Sequence, residues 1–171
     1  LLDNDRIIAA SPDGLLYSFR RNEFRGNVWD ARGAHRQAVV RAGLWDPPPD
    51  GRATPLTPVT PQLYGIVRAA RFRPDGRLQV LLWVPKSDYR AHLKEVRGPA
   101  GSIIVPADGE DALFAAVMEV IDPIAGEVVA RGELPDLMVG FVDDDRVFST
   151  PIVGIGVPAV RVWRLSETSA G

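Results

Sequence analysis

Residues 70–83 read Ala70-Arg71-Phe72-Arg73-Pro74-Asp75-Gly76-Arg77-Leu78-Gln79-Val80-Leu81-Leu82-Trp83. The centre of this stretch is turn chemistry. Proline presets φ, aspartate hydrogen-bonds to its own backbone, and glycine accepts positive φ. The flanks are aromatic, β-branched and leucine-rich, as the arms of a hairpin are. The stretch therefore predicts strand, acidic turn, strand.

The same logic recurs on either side. Ile7-Ile8-Ala9-Ala10-Ser11-Pro12-Asp13-Gly14-Leu15-Leu16-Tyr17-Ser18-Phe19 repeats it upstream. Val139-Gly140-Phe141-Val142-Asp143-Asp144-Asp145-Arg146-Val147-Phe148-Ser149 repeats it downstream. A second hairpin type follows each of these. Asn27-Val28-Trp29-Asp30-Ala31-Arg32-Gly33 leads into Gln37-Ala38-Val39-Val40-Arg41, and Met118-Glu119-Val120-Ile121-Asp122-Pro123-Ile124-Ala125-Gly126 leads into Glu127-Val128-Val129-Ala130-Arg131. Val160-Arg161-Val162-Trp163-Arg164-Leu165 matches only the first half of that pattern.

Two hairpins in fixed order make a four-stranded antiparallel unit, and units of about 40–50 residues are the blades of β-propellers. A Greek-key sandwich supplies no reason for the repeated order. The expected fold is all-β, a single propeller-type module of about three blades, near 1–43, 64–133 and 134–166. The third lacks an obvious fourth strand.

Pro74-Asp75-Gly76-Arg77-Leu78-Gln79-Val80 resembles the inner hairpin of bacterial six-bladed, NHL-type β-propellers. Val120-Ile121-Asp122-Pro123 through Gly126-Glu127-Val128 is similar to their outer hairpin. Val160-Arg161-Val162-Trp163-Arg164-Leu165 resembles the last strand of their final blade. The resemblance covers most of the chain apart from two insertions and implies a scaffold, of a kind compatible with export, without implying an activity. It also implies six blades, of which this chain holds about half. A fragment of a longer chain and a homodimer that completes the ring both satisfy that count. The chain opens on Leu1, so an upstream export signal, and with it a periplasmic or cell-surface location, is compatible with the sequence.

Two insertions interrupt the repeats. Residues 44–62 carry Trp45-Asp46-Pro47-Pro48-Pro49-Asp50-Gly51 and then Pro55, Pro58 and Pro61. Consecutive prolines forbid a helix interior or central strand, so a stiff polyproline-like loop is expected, with Trp45 packed on prolines. In residues 85–111, Ser87 is expected to cap a short helix with Tyr89, His92, Leu93 and Val96 on one face. Gly98-Pro99-Ala100-Gly101 ends it, and Ser102-Ile103-Ile104-Val105 forms an extra strand. Asp108-Gly109-Glu110-Asp111 is a turn, and Ala112-Leu113-Phe114-Ala115-Ala116-Val117 a further strand. Loops on rigid scaffolds carry function, so Trp45, Asp46, Tyr64, Tyr89 and His92 are the candidate binding residues.

With 171 residues, a net charge of −2 and scattered Lys and Arg, the chain offers no basic stripe for nucleic acid. No apolar run is long enough to span a bilayer as a helix. The absence of cysteine excludes disulfides and Cys-based zinc sites. His35 and His92 have no second histidine at ligand spacing. There is no phosphate loop and no Gly-x-Ser-x-Gly elbow, and Gly154-Ile155-Gly156 lies in a β-like run. Asp143-Asp144-Asp145 lacks the alternation of an EF-hand loop and reads as a solvated turn. Asp13 and Asp75 belong to turns and are not assigned as ligands. Trp29, Trp83 and Trp163 recur at strand positions and are read as packing between blades. No catalytic residue, cofactor or metal site is assigned. The expected function is a non-enzymatic scaffold that binds a protein or peptide through its loops. The alternatives are a metal-dependent hydrolase of lactonase-like propeller type and a fragment with no function of its own.

Overall fold

Aspartate-rich turns organise the molecule. In the computed structural model, which describes residues 6–21, 25–40, 63–98, 101–153 and 156–166, Asp30 Oδ1 accepts the N–H groups of Arg32 and Ala34, both at 2.9 Å. Asp122 Oδ1 accepts those of Ile124 at 2.8 Å and Ala125 at 3.1 Å. Asp75 Oδ1 accepts that of Arg77 at 3.1 Å. In each case the carboxylate replaces water on donors that the reversal leaves unpaired. Gly14 and Gly76 close the two Pro-Asp-Gly turns at φ of 84° and 80°, a region costly for any residue with a Cβ.

The strands between these turns form three successive antiparallel sheets. The first contains β1 (Arg6–Ala10), β2 (Leu16–Arg20), β3 (Arg25–Trp29) and β4 (His35–Val40) in chain order. The second begins with β5 (Ile66–Phe72) and β6 (Leu78–Pro85). An excursion follows: a 3-10 turn (Tyr89–His92), the hairpin β7 (Leu93–Gly98) and β8 (Gly101–Pro106), and the single-turn helix α1 (Glu110–Leu113). β9 (Phe114–Asp122) then pairs with β6, and β10 (Glu127–Leu134) completes the order β5-β6-β9-β10. The third sheet holds β11 (Met138–Phe141), β12 (Arg146–Ser149) and, after the small hairpin β13 (Ile152–Val153) and β14 (Val157–Pro158), β15 (Arg161–Arg164). Among the described residues it has no fourth strand.

Two local expectations are corrected. Ser87 does not cap a helix; Asp88 occupies the cap position of a lone 3-10 turn and makes no side-chain cap bond. Leu93 and Val96 lie on β7, paired with Pro106 and Ile103. A helix of that length is marginal in water, whereas a tight hairpin satisfies the same backbone groups across strands. Likewise, the strand expected from Ala112 starts only at Phe114. Gly109, at φ 95°, precedes α1, and Glu110 and Asp111 sit in its first turn, where acids favour a helix N-terminus. Leu113 is thereby turned into the core. The expected strand at 102–105 is present as part of β8. The proline-rich insertion 44–62 lies outside the described residues.

Period-two alternation explains the packing. Leu78, Val80 and Leu82 of β6 face the first sheet and meet Ala9, Tyr17, Phe19 and Val28. Leu81 and Trp83 face the third sheet and meet Met138 and Val147. β6 is thus buried on both faces, which is why its sequence is almost continuously apolar. The Trp83 indole N–H donates to the Met138 carbonyl at 2.8 Å and ties the second sheet to the third. The Val67 N–H donates to the Arg21 carbonyl at 2.7 Å and ties the first to the second. The leading strands are neighbours, β1 against β5 and β5 against β11.

Strand direction gives the assembly two unlike ends. At one, the turn end, the β1–β2, β5–β6 and β9–β10 turns border a common cleft. The β11–β12 turn joins them through an ion pair between Asp144 and Arg71. From the other, the loop end, leave the β2–β3, β4–β5, β6–β9, β10–β11 and β12–β15 connections.

Candidate functional site

The loop end carries the sequence-predicted residues that the structure describes. Lys86 fixes the start of the β6–β9 excursion: its N–H donates to the Leu113 carbonyl at 2.9 Å and its Nζ to the Asp111 carbonyl at 2.7 Å. The Ala107 N–H donates to the His92 carbonyl at 2.8 Å, closing the base of the β7–β8 hairpin. These bonds hold the 3-10 turn and α1 against the core between the second and third sheets.

His92 is half-buried between two carboxylates. Its Nδ1 lies 3.0 Å from Asp108 Oδ2, and its Nε2 lies 3.8 Å from Asp88 Oδ2. Both ring nitrogens are directed at acids of the excursion itself, so His92 braces its two limbs. Tyr89 is half-buried against the core between the second and third sheets. Its hydroxyl accepts the Leu63 N–H and the Arg90 Nε–H, each at 3.4 Å, so much of this side chain serves packing. Tyr64, also half-buried, lies in the segment that enters β5. Trp45 and Asp46 lie outside the described residues.

The structure adds a residue that the pattern did not single out. Arg68 sits at a bulge in β5, where the register shifts between Val67 and Ala69. Its guanidinium lies 4.1 Å from the centre of the Trp83 ring, within cation–π range. Burial pushes the Arg68 guanidinium below its ordinary value, and neighbouring Arg21 pushes it the same way; Glu110 opposes both. Its Nε–H is buried and finds no acceptor among the described residues. The sequence signal was a cation between Val67 and Ala69, in a strand whose other charge is Arg71.

The other singled-out residues are structural. His35 is exposed, with Nε2 3.3 Å from Asn27 Oδ1 and its ring edge-on to Trp29. Trp163 donates its indole N–H to Ser149 Oγ at 3.3 Å, and Ser149 Oγ donates to Asp136 Oδ2 at 2.6 Å. Asp143 sits in the β11–β12 turn, where the Arg146 guanidinium holds its carboxyl at about 2. Among the described residues, no three His, Asp or Glu side chains are grouped as metal ligands.

Chemically, the loop end presents a donor-rich cation backed by an indole, beside aromatic and carboxylate groups carried on a braced excursion. Such a surface can accept a carbonyl or carboxylate from an incoming chain. No protein-family model matches the sequence, and no curated protein matches it.

Proposed function

We propose that the three sheets are successive blades of a β-propeller, and that the chain is a non-enzymatic scaffold holding a peptide or protein segment at its loop end. One observation carries this reading: tight, self-satisfied turns collect at one end, while the long connections leave from the other. A rigid scaffold that varies only one set of loops is built for recognition by that set. Arg68, with its unused donor over Trp83, is the anchor on that surface.

The test is selection of a peptide library on the immobilised full chain, followed by affinity measurements on variants. Arg68→Gln and deletion of residues 44–62 are expected to weaken the selected peptides at least about tenfold, the loss typical of an interface anchor. Selected peptides that bind both variants as tightly as the parent would refute the loop-end assignment.

A second part of the proposal concerns assembly. Ile8 and Leu16, 59% and 40% exposed, lie on the face of the first sheet turned away from the second. Val162, 51% exposed, alternates with the inward Trp163 on the third. Inside the chain, each such face is covered by the next sheet. A second copy, related by a twofold axis, covers both and completes a six-bladed ring. Light scattering on the eluting chain is expected to give twice the monomer mass, and a monomer mass at micromolar concentration rules out this assembly.

A further inference from the structure

The turn end contains a cleft of about 480 Å³ between the first and second sheets, within the usual range for small-ligand sites. Its walls come from the β1–β2, β5–β6 and β9–β10 turns, so the packing of two sheets fixes its shape. Three of the wall residues, Pro12, Pro74 and Pro123, lack an N–H to offer. The floor is aromatic: Tyr17 and Phe72 meet edge-to-face with centroids 4.7 Å apart.

Tyr17 is the informative residue. It is only 4% exposed and lines the cleft. A tyrosine hydroxyl so placed normally has a hydrogen-bond partner. The Tyr17 hydroxyl has none among the described residues, and its oxygen is not sealed in the core but opens onto the cleft.

Asp13 and Asp75 occupy equivalent positions in the two Pro-Asp-Gly turns and face the same cleft. Asp75 is partly engaged, by the Arg77 N–H at 3.1 Å and by Arg73 Nε at 3.4 Å. Among the described residues, Asp13 accepts only the Ser11 hydroxyl, and it acts electrostatically on Tyr17. Asp122, behind Pro123, is held by the N–H groups of its own turn.

We propose that this cleft binds an organic cation on an apolar stem, an alkylammonium group, with the stem against the prolines and Phe72 and the ammonium between Asp13 and the Tyr17 hydroxyl. The alternatives fit less well. An anion would meet the carboxylates of Asp13 and Asp75. A small metal ion needs six or more oxygens, and among the described residues Asp13 and Asp75 are not grouped with a third His, Asp or Glu. A neutral apolar ligand would leave the Tyr17 hydroxyl and Asp13 without a partner. The same chemistry is offered by a lysine side chain of a polypeptide and by a free alkylamine.

The experiment is calorimetric titration of the full chain with hexylammonium, hexanol, hexanoate and Nα-acetyl-lysine-N-methylamide. Both ammonium probes are expected to bind, with hexanol and hexanoate at least about tenfold weaker. Tighter binding of the lysine derivative assigns the polypeptide source, and tighter binding of hexylammonium the free amine. Asp13→Asn, at an exposed turn position, is expected to cost about tenfold in ammonium affinity and to leave hexanol unchanged. Tyr17→Phe removes the hydroxyl alone and is expected to weaken the ammonium probes several-fold. Equal affinity for hexanol and hexylammonium, or an ammonium affinity indifferent to Asp13→Asn in a folded variant, overturns the proposal.

Discussion

Gly26→Ala isolates how tightly the first sheet is packed. Gly26 lies opposite Phe19 across β2 and β3, and Phe19 is fully buried against the second sheet. A Cβ at Gly26 would stand 2.5 Å from Phe19 Cε1, 2.9 Å from Cδ1 and 3.0 Å from Cζ. Carbon atoms rest about 3.5–4.0 Å apart, so the ring must retreat by about 1 Å. Phe19 packs beside Tyr17 on one side and the second sheet on the other, so the retreat strains the core. Overpacking of this kind costs about 1–3 kcal/mol. Restricting the unfolded chain returns about 0.4–1 kcal/mol, since Gly26 does not have positive φ. The net expectation is a loss of about 1–2 kcal/mol, or a Tm lower by about 2–8 °C for a chain of this size. Gly140→Ala is the control. Its Cβ would also meet a ring, with Phe148 Cε1 at 2.8 Å, but Phe148 is half-buried and can swing toward solvent. Urea unfolding followed by circular dichroism measures both. Gly26→Ala as stable as the parent, or no worse than Gly140→Ala, would show that the Phe19 cavity is looser than described.

Further predictions concern the inter-sheet bond and the titrating turns. Trp83→Phe removes the indole donor from the buried Met138 carbonyl and is expected to cost about 1–3 kcal/mol in urea unfolding; an unchanged midpoint would mean that the bond does not join the sheets. Asp30, Asp122 and Asp143 have depressed folded-state values. Their contribution is therefore complete above the unfolded value of 3.8 and is lost as pH falls, down to about 2 for Asp143. Asp122→Asn and Asp143→Asn should flatten the acid limb of the urea midpoint against pH. Tyr17 is shifted the other way, raised by burial and then by Asp13. Its contribution is complete below the unfolded value of 10.0 and declines as pH rises above it, so Tyr17→Phe should flatten the alkaline limb.

Local turn chemistry was legible because it needs no knowledge of the rest of the chain. Pro12-Asp13-Gly14, Pro74-Asp75-Gly76 and Asp122 through Gly126 form the reversals that their residues demand, and the strand pairs on either side follow. The β7–β8 hairpin was not legible. Leu93-Lys94-Glu95-Val96-Arg97 satisfies a helical face about as well as a strand, and pairing with Gly101–Pro106 decides between them. Arg68 escaped notice because a bulge, not the alternation, sets its direction. Tyr89 shows the converse: an aromatic in an inserted loop reads as a binding residue, yet its hydroxyl is occupied by Leu63 and Arg90. Asp13 and Asp75 were correctly read as turn residues. Only the packing of two sheets brings them to one cleft, and no pattern within either turn encodes that meeting.

The two ends should therefore behave as independent sites. Arg68 stands near the start of β5, and Phe72, at its last residue, borders the cleft with Asp13. The four residue steps from Arg68 to Phe72 span about 13 Å, beyond the about 7–10 Å over which substitutions couple. Between the ends, β5 and β6 are locked on both faces by packed side chains, which leaves no hinge to carry a signal. Asp13→Asn and Arg68→Gln are thus expected to add in stability within about 0.5 kcal/mol when combined. Each should also leave ligand affinity at the opposite end unchanged. A larger coupling would mean that the second sheet moves between two arrangements that both ends sense, and the rigid scaffold assumed for the loop end would have to be abandoned.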